Sequence, residues 1–307
     1  MAGEMSFEEL QQIVSVCLDE ITSLKDNHEE MTKLMNAVYR TVTNLSNMET
    51  VCQRLNHRMY KMQSRVSYLA NREKILNSRI GLTQTSPTRF LGKGVVYSAI
   101  TGGYDNVKEI RYKNPNLDYI LFTDNPNIKS DTWDVRMLSN PEHLDSVRLA
   151  RRTKIMGHEL LQEYDYSVWV DGKLEIIGDF VDYIERYRDT RPILCFNHYV
   201  DDCVYAEVAT CKQLKKDDPA TMDQQVQQYR EEGYPSHNGL IESAILVREL
   251  HDEGLIKVMT TWWDEVLHKS FRDQLSFNYA CWKNNFLYDT TDLFVYENDY
   301  VTLHAHS

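Results

Sequence analysis

Between residues 95 and 268 short apolar runs alternate with longer stretches of helical character, and that alternation restricts the fold more than any other feature of the chain. Residues 95–100, 119–122, 133–138, 167–170, 193–196 and 244–247 have the length and the β-branched and aromatic content of strands. Residues 146–163, 179–188, 202–216 and 252–268 have the composition of helices. The pattern predicts an α/β fold, with a mixed, mostly parallel sheet flanked by helices. Ligands of such sheets sit beyond the carboxyl ends of the strands. Chemistry is therefore expected in the residues that follow each run.

The preceding segment obeys different rules. Between Gly3 and Gly81 there is no glycine or proline, and good helix formers dominate. Apolar residues recur at three- and four-residue steps, as in Leu10, Ile13, Cys17, Ile21 and Leu24, and again in Cys52, Leu55, Met59, Met62, Val66 and Leu69. This is the seam of a coiled coil, which as a single rod would reach roughly 110–120 Å at 1.5 Å per residue. A phase break falls on the poor helix formers of 41–47. Residues 1–40 carry 3 basic and 8 acidic side chains, and residues 41–85 carry 7 basic and 2 acidic. That asymmetry favours antiparallel pairing, between chains or as a hairpin. The expected organisation is a coiled coil over 1–82 that joins copies of the chain into a homo-oligomer, a linker over 83–94 and an α/β domain over 95–307.

The formal net charge of −12 resides wholly in residues 86–307, with 24 basic and 36 acidic side chains. Such a balance argues against a nucleic-acid partner, which would require a basic footprint. Six scattered cysteines show no CxxC spacing, which suits a reducing compartment. There is no apolar leader and no run of 18 apolar residues, so a soluble, cytoplasmic protein without a transmembrane segment is expected.

The strand ends carry the candidate chemistry. The first run closes on Ala99-Ile-Thr-Gly-Gly-Tyr-Asp105, where paired glycines let backbone approach a ligand or simply turn. The second ends at Asp124, placed either to grip a ribose or base or to cap the turn before Asn125-Pro126. In Arg148-Leu-Ala-Arg-Arg-Thr-Lys154, three arginines (148, 151 and 152) fall within roughly a 100° arc of one helix face. In an acidic domain they form a phosphate-binding face or a solvated one. Asp171 follows the apolar run Val168-Trp-Val170, where a carboxylate can hold Mn²⁺ or Mg²⁺ against a diphosphate or merely close a turn. Position 173, where a D-x-D spacing would put a second acid, is Lys173. Either the metal takes Asp171 with a distant ligand, or Lys173 itself neutralises diphosphate charge. Glu242 precedes a strand-like run, Asp273 and Gln274 open a helix, and His304 and His306 close the chain as metal ligands or as a tail.

Four motifs, Tyr97-Ser-Ala-Ile-Thr-Gly-Gly-Tyr-Asp105, Tyr119-Ile-Leu-Phe-Thr-Asp124, Arg148-Leu-Ala-Arg-Arg-Thr-Lys154 and Tyr164-Asp-Tyr-Ser-Val-Trp-Val-Asp-Gly172, together resemble the TOD/MUCI-type glycosyltransferase-like domain. The resemblance spans roughly 95–305 and leaves out the coiled coil. It implies a Rossmann-like, GT-A-like fold that transfers sugar from a nucleoside-diphosphate donor, first of all a UDP-sugar, to the hydroxyl of a glycan acceptor. By that analogy Ala99, Ile100, Thr101 and Asp124 hold the nucleoside, while Arg148, Arg152, Lys154 and Lys173 steady phosphate. Asp171, Glu242, Asp273 and Gln274 serve the transfer, and Asp171 with His304 or His306 holds a divalent Mn²⁺ or Mg²⁺. Secretory glycan-building enzymes of eukaryotes are mostly anchored, so the lack of an anchor points to a bacterial or viral setting or to docking on a partner. Two rivals remain: a metal-assisted, ceramidase-like hydrolase, and a non-catalytic coiled-coil scaffold with a degenerate nucleotide-sugar-binding domain.

Overall fold

The structure, a computed structural model, describes residues 92–188, 190–291 and 293–303. The expected coiled coil, the linker up to residue 91, and His304 and His306 lie outside the described residues.

Strand β1 (Gly94–Ile100) is buried along its whole length. It sends Val95, Tyr97 and Ala99 to one side of the sheet and Val96 and Ile100 to the other. β2 (Leu117–Thr123) and β3 (Asp134–Met137) follow, then helix α1 (Ser146–Ile155) and a short turn of helix α2 (Gly157–Leu160). β4 (Tyr166–Val170) leads through the short β5 (Leu174–Ile176) to α3 (Phe180–Tyr187) and β6 (Ile193–Asn197). A helical pair, α4 (Val204–Gln213) and α5 (Pro219–Glu231), precedes β7 (Ile241–Glu249) and the long α6 (Glu253–His268). A 3-10 turn at Asp273–Leu275, α7 (Phe277–Lys283), β8 (Asp289–Thr291) and β9 (Val301–Leu303) complete the chain.

The strands form a seven-stranded sheet in the order β3-β2-β1-β4-β7-β6-β8. Within this sheet β7 alone runs against its neighbours β4 and β6 and every other pairing is parallel, while β5 and β9 pair antiparallel in a separate two-stranded sheet. The larger is the mixed, mostly parallel sheet that the alternation implied, and it agrees with the GT-A-like fold that the resemblance implied. One face packs on α1 and α6 through Tyr97, Trp169, Leu246, Met259 and Trp262. The other packs on α3 and the carboxyl-terminal segment through Val168, Phe180, Tyr183 and Val301. At ~1.5–3 kcal/mol for each fully buried large apolar side chain, these two layers dominate the stability of the domain. A smaller cluster joins α4 and α5 to Leu275 and Tyr279.

Helices expected over 146–163 and 202–216 end earlier, at Leu160 and Gln213. The helix expected to open at Arg272 is a 3-10 turn followed by α7. The run at 244–247 is the centre of a nine-residue strand that already contains Glu242.

Candidate active site

The chain order reverses between β1 and β4: from β1 the strands step outward to β2 and β3, whereas β4 begins the opposite half. In open α/β sheets that switch point leaves a crevice at the carboxyl edge. Here it is a cleft of about 370 Å³. Ala99, Ile100, Thr101, Tyr104 and Asp105 form one wall, and Ser146, Val147, Ala150 and Arg151 of α1 form another. Trp169, Asp171, Gly172 and Lys173 form its floor, with Lys216, Phe271 and Arg272 closing it from the carboxyl-terminal half.

Local chemistry shapes each wall. Gly102 has φ +63, and a Cβ there would come within 2.5 Å of Ser146 Cβ, so only glycine lets the loop lie against the start of α1. Its N–H donates to Asp124, at 3.0 Å from both carboxylate oxygens. Thr101 Oγ1 donates to the Ser146 carbonyl at 2.7 Å. Asp124 thus holds the loop after β1. Asp145 caps α1 by accepting from the Arg148 N–H.

The face of α1 toward the cleft carries Val147, Ala150 and Arg151. Arg148 and Arg152 are not among the lining residues. Arg148 pairs with Asp145 at 2.9 Å and donates to the Lys269 carbonyl at 3.1 Å. Arg152 pairs with Glu142 at 3.2 Å and Glu159 at 3.0 Å. Of the three clustered arginines, the structure brings Arg151 to the cleft.

One turn further, Lys154 is buried beneath the floor. Its Nζ donates to Asp273 Oδ2 at 2.6 Å and to Ser243 Oγ at 2.9 Å, and lies 3.6 Å from Asp171 Oδ1. Asp171 Oδ1 also accepts from Trp169 Nε1 at 2.8 Å. Arg151 Nε stands 3.5 Å from Asp273 Oδ1. Burial works to raise the Asp273 carboxyl, but Arg151, Lys154 and Arg272 outweigh it and hold the group well below the usual carboxylate range.

The antiparallel direction of β7 matters here. It brings the first residues of β7, not its last, to the carboxyl edge of β4, with the Asp171 N–H donating to the Ala244 carbonyl at 2.8 Å. Ser243 and Glu242 consequently stand beside the turn from Asp171 to Lys173. Glu242 Oε2 accepts from Gln274 Nε2 and Tyr296 Oη, each at 2.9 Å, and Oε1 lies 3.3 Å from His198 Nε2. Burial pushes this carboxyl up to about 7 against the opposing hydrogen bond from Tyr296 and the charges of Lys173 and Arg272, while Asp171 adds to the rise. His198 follows β6, and its Nδ1 accepts the Asp201 N–H at 2.9 Å, which leaves the proton on Nε2 for Glu242. Burial keeps this imidazole neutral by lowering its pKa.

At Oδ1 of Asp171 the surroundings disfavour a divalent ion, and the expected co-ligands His304 and His306 lie outside the described residues. The Oδ1 atom is already shared by an indole N–H and an ammonium group, and Lys173 occupies the second D-x-D position. Among the described residues the one group of three side chains with metal-ligand spacing is His198, Asp201 and Glu207, which excludes Asp171.

Lys216, Phe271, Arg272, His198 and Tyr296 were not assigned roles from sequence, and Arg151 entered only as one of three arginines on a helix face. The basic residues at 216 and 272 gave a weak signal, as cations in a segment where acids outnumber them. A single histidine after a strand gave none.

The chain is similar to several known proteins. Among solved structures, the apo form of the bifunctional glycosyltransferase WbbM matches with a TM-score of 0.37 and 12% identity over 66% of this chain and 39% of that one. The apo form of mouse xyloside xylosyltransferase 1 matches with a TM-score of 0.40 and 8% identity over 64% of this chain and 84% of that one. A protein of Arabidopsis thaliana named probable hexosyltransferase MUCI70 is 28% identical over 211 residues, 60% of this chain. The chain spans 36% of the length of that relative. The family model of the TOD1/MUCI70 glycosyltransferase-like domain matches residues 119–302, which is more than half of the chain and includes β4, β7 and the 3-10 turn that carry Asp171, Glu242 and Asp273. The chain therefore belongs to the TOD1/MUCI70 glycosyltransferase-like domain family.

Proposed function

We propose that this chain is a glycosyltransferase that moves a hexosyl unit from a nucleoside-diphosphate sugar to an acceptor hydroxyl of a glycan. The observation that carries the reading is the cleft at the β1/β4 switch point, where Arg151, Lys173, Lys216 and Arg272 converge around Asp171 in a domain that is otherwise acidic. Such a concentration of cations matches a diphosphate. The exposed ring of Tyr104 and the ring of Phe271 offer apolar surface for a nucleobase. A uridine diphosphate sugar is the donor to try first, and the name of the Arabidopsis relative favours a hexose.

In the transfer, the bond between the anomeric carbon and the diphosphate oxygen breaks, and its electron pair goes to the leaving diphosphate. The acceptor oxygen forms the new bond to the anomeric carbon and releases its proton. Lys173 and the cleft arginines stabilise the negative charge that develops on the leaving group. Glu242, whose carboxyl burial raises to about 7, accepts in its ionised form the proton of the attacking hydroxyl. Asp171 fixes the floor of the site through Lys154 and Trp169. Buried thiols at Cys195, Cys203, Cys211 and Cys281 suit a reducing cytoplasm, where we place the protein. Assembly through residues 1–82 is part of the same proposal, and light scattering of the full chain measures it.

A thermal-shift screen of nucleoside diphosphates and nucleotide sugars tests the activity. Ligands of the native state raise the unfolding midpoint. A rise with a nucleotide sugar, followed by nucleotide release when an acceptor is added, is expected. Hydrolysis that ignores the acceptor would favour the hydrolase, and no shift with any nucleotide would favour the scaffold.

A further inference from the structure

We infer that the leaving diphosphate is neutralised by side-chain cations alone, with Lys173 standing where a divalent ion would stand in a D-x-D site. The inference rests on the proposed transferase reading and names the counter-charge of that same cleft. Three observations carry it. First, Asp171 is already compensated from below, with Lys154 Nζ at 3.6 Å and the Trp169 indole N–H at 2.8 Å on the same oxygen. A divalent ion bound there would sit beside an ammonium that cannot leave, because Lys154 is buried and fixed to Asp273 at 2.6 Å and Ser243 at 2.9 Å.

Second, the charge beneath and around the floor is positive. Arg151, Lys154, Lys173, Lys216 and Arg272 stand against Asp105, Asp171, Asp273 and Glu242, which is five cations against four acids. A metal ion would raise this surplus, whereas the double negative charge of a diphosphate offsets it. Third, the guanidinium groups are not fully taken up inside the fold. Nε of Arg151 and Nε of Arg272 are both buried without a hydrogen-bond partner among the described residues, and both side chains line the cleft. Lys173 has its ammonium 4.6 Å from the centre of the Tyr296 ring, a placement that keeps the charge without closing it in a salt bridge. The turn can hold it there because Gly172 passes over the end of β1, where a Cβ would lie 3.1 Å from Ile100 Cγ1 and 3.4 Å from the Ala99 carbonyl oxygen.

Calorimetric titration of the full chain with UDP and GDP, in EDTA and in Mn²⁺, tests the inference. The wild-type chain is expected to bind one of them with the same affinity, within two-fold, in both buffers. Lys173→Ala is expected to lose at least ten-fold affinity in EDTA with an unchanged thermal midpoint. Lys173→Asp, which restores the D-x-D spacing but leaves Lys154 beside Asp171, is expected to lose at least ten-fold affinity in both buffers, without rescue by Mn²⁺. Wild-type binding that requires Mn²⁺, or Lys173→Ala binding as tightly as wild type in EDTA, overturns the inference and leaves the transferase reading standing. Binding of neither nucleotide in either buffer overturns both.

Discussion

The ammonium group of Lys154 stands 2.6 Å from the carboxylate of Asp273, and both side chains are almost wholly buried. Each anchors a different part of the site: Lys154 reaches it from α1, and Asp273 from the 3-10 turn before α7. Replacing Lys154 by methionine leaves Asp273 without its closest cation. Loss of one member of a buried pair costs about 3–5 kcal/mol, so urea denaturation of Lys154→Met is expected to show a destabilisation of that order. Adding Asp273→Asn to the same chain is expected to restore part of it.

Glu242 gives the activity a pH dependence. With its carboxyl near 7 and an unfolded-state glutamate near ~4.3, the folded chain binds the extra proton between those values. This contribution to stability is full below about pH 4 and is lost as pH rises through 7. In the proposed mechanism activity runs the other way, because the deprotonated form is the base. We expect kcat/KM to rise through pH 7, and Glu242→Gln to lower it by ~10²–10⁴-fold with a flat profile. Denaturation midpoints from pH 5 to 8 should fall less steeply in the variant.

In the proposed mechanism His198 acts on the reaction through Glu242. Its Nε2–H faces Glu242 Oε1 at 3.3 Å and favours the carboxylate. His198→Phe is therefore expected to move the midpoint of the pH–rate profile to higher pH while leaving activity at pH 9 closer to wild type. A histidine with only a structural role would lower activity equally at every pH.

The arginine helix offers a sharp comparison. Arg151 lines the cleft, whereas Arg152 is paired with Glu142 and Glu159 away from it. Arg151→Ala is expected to weaken nucleotide binding by at least ten-fold, and Arg152→Ala to leave it within two-fold of wild type, as read by calorimetry.

Much of the fold was legible because the apolar runs of β1, β4 and β6 are buried on both faces and read as continuous hydrophobic stretches. α5 escaped notice because its apolar residues, Met222, Val226 and Tyr229, serve only a small cluster. Asp218 and Pro219 at its start were the available signal. The direction of β7 was not legible at all. Strand direction is set by pairing across the sheet, and it is this direction that brings Glu242 and Ser243 beside Asp171. The arc of Arg148, Arg151 and Arg152 was correctly placed on a helix. Which member meets the cleft depends on the acids at 142, 145 and 159 that engage the other two.

The most direct measurement is a crystal structure of the full chain with a bound nucleoside diphosphate, read for the position of the two phosphates. The cleft at the β1/β4 switch point should hold them within hydrogen-bond reach of Lys173 and at least one of Arg151, Lys216 and Arg272. A nucleotide seated elsewhere, or phosphates that touch none of these side chains, would contradict the assignment of this cleft as the donor site.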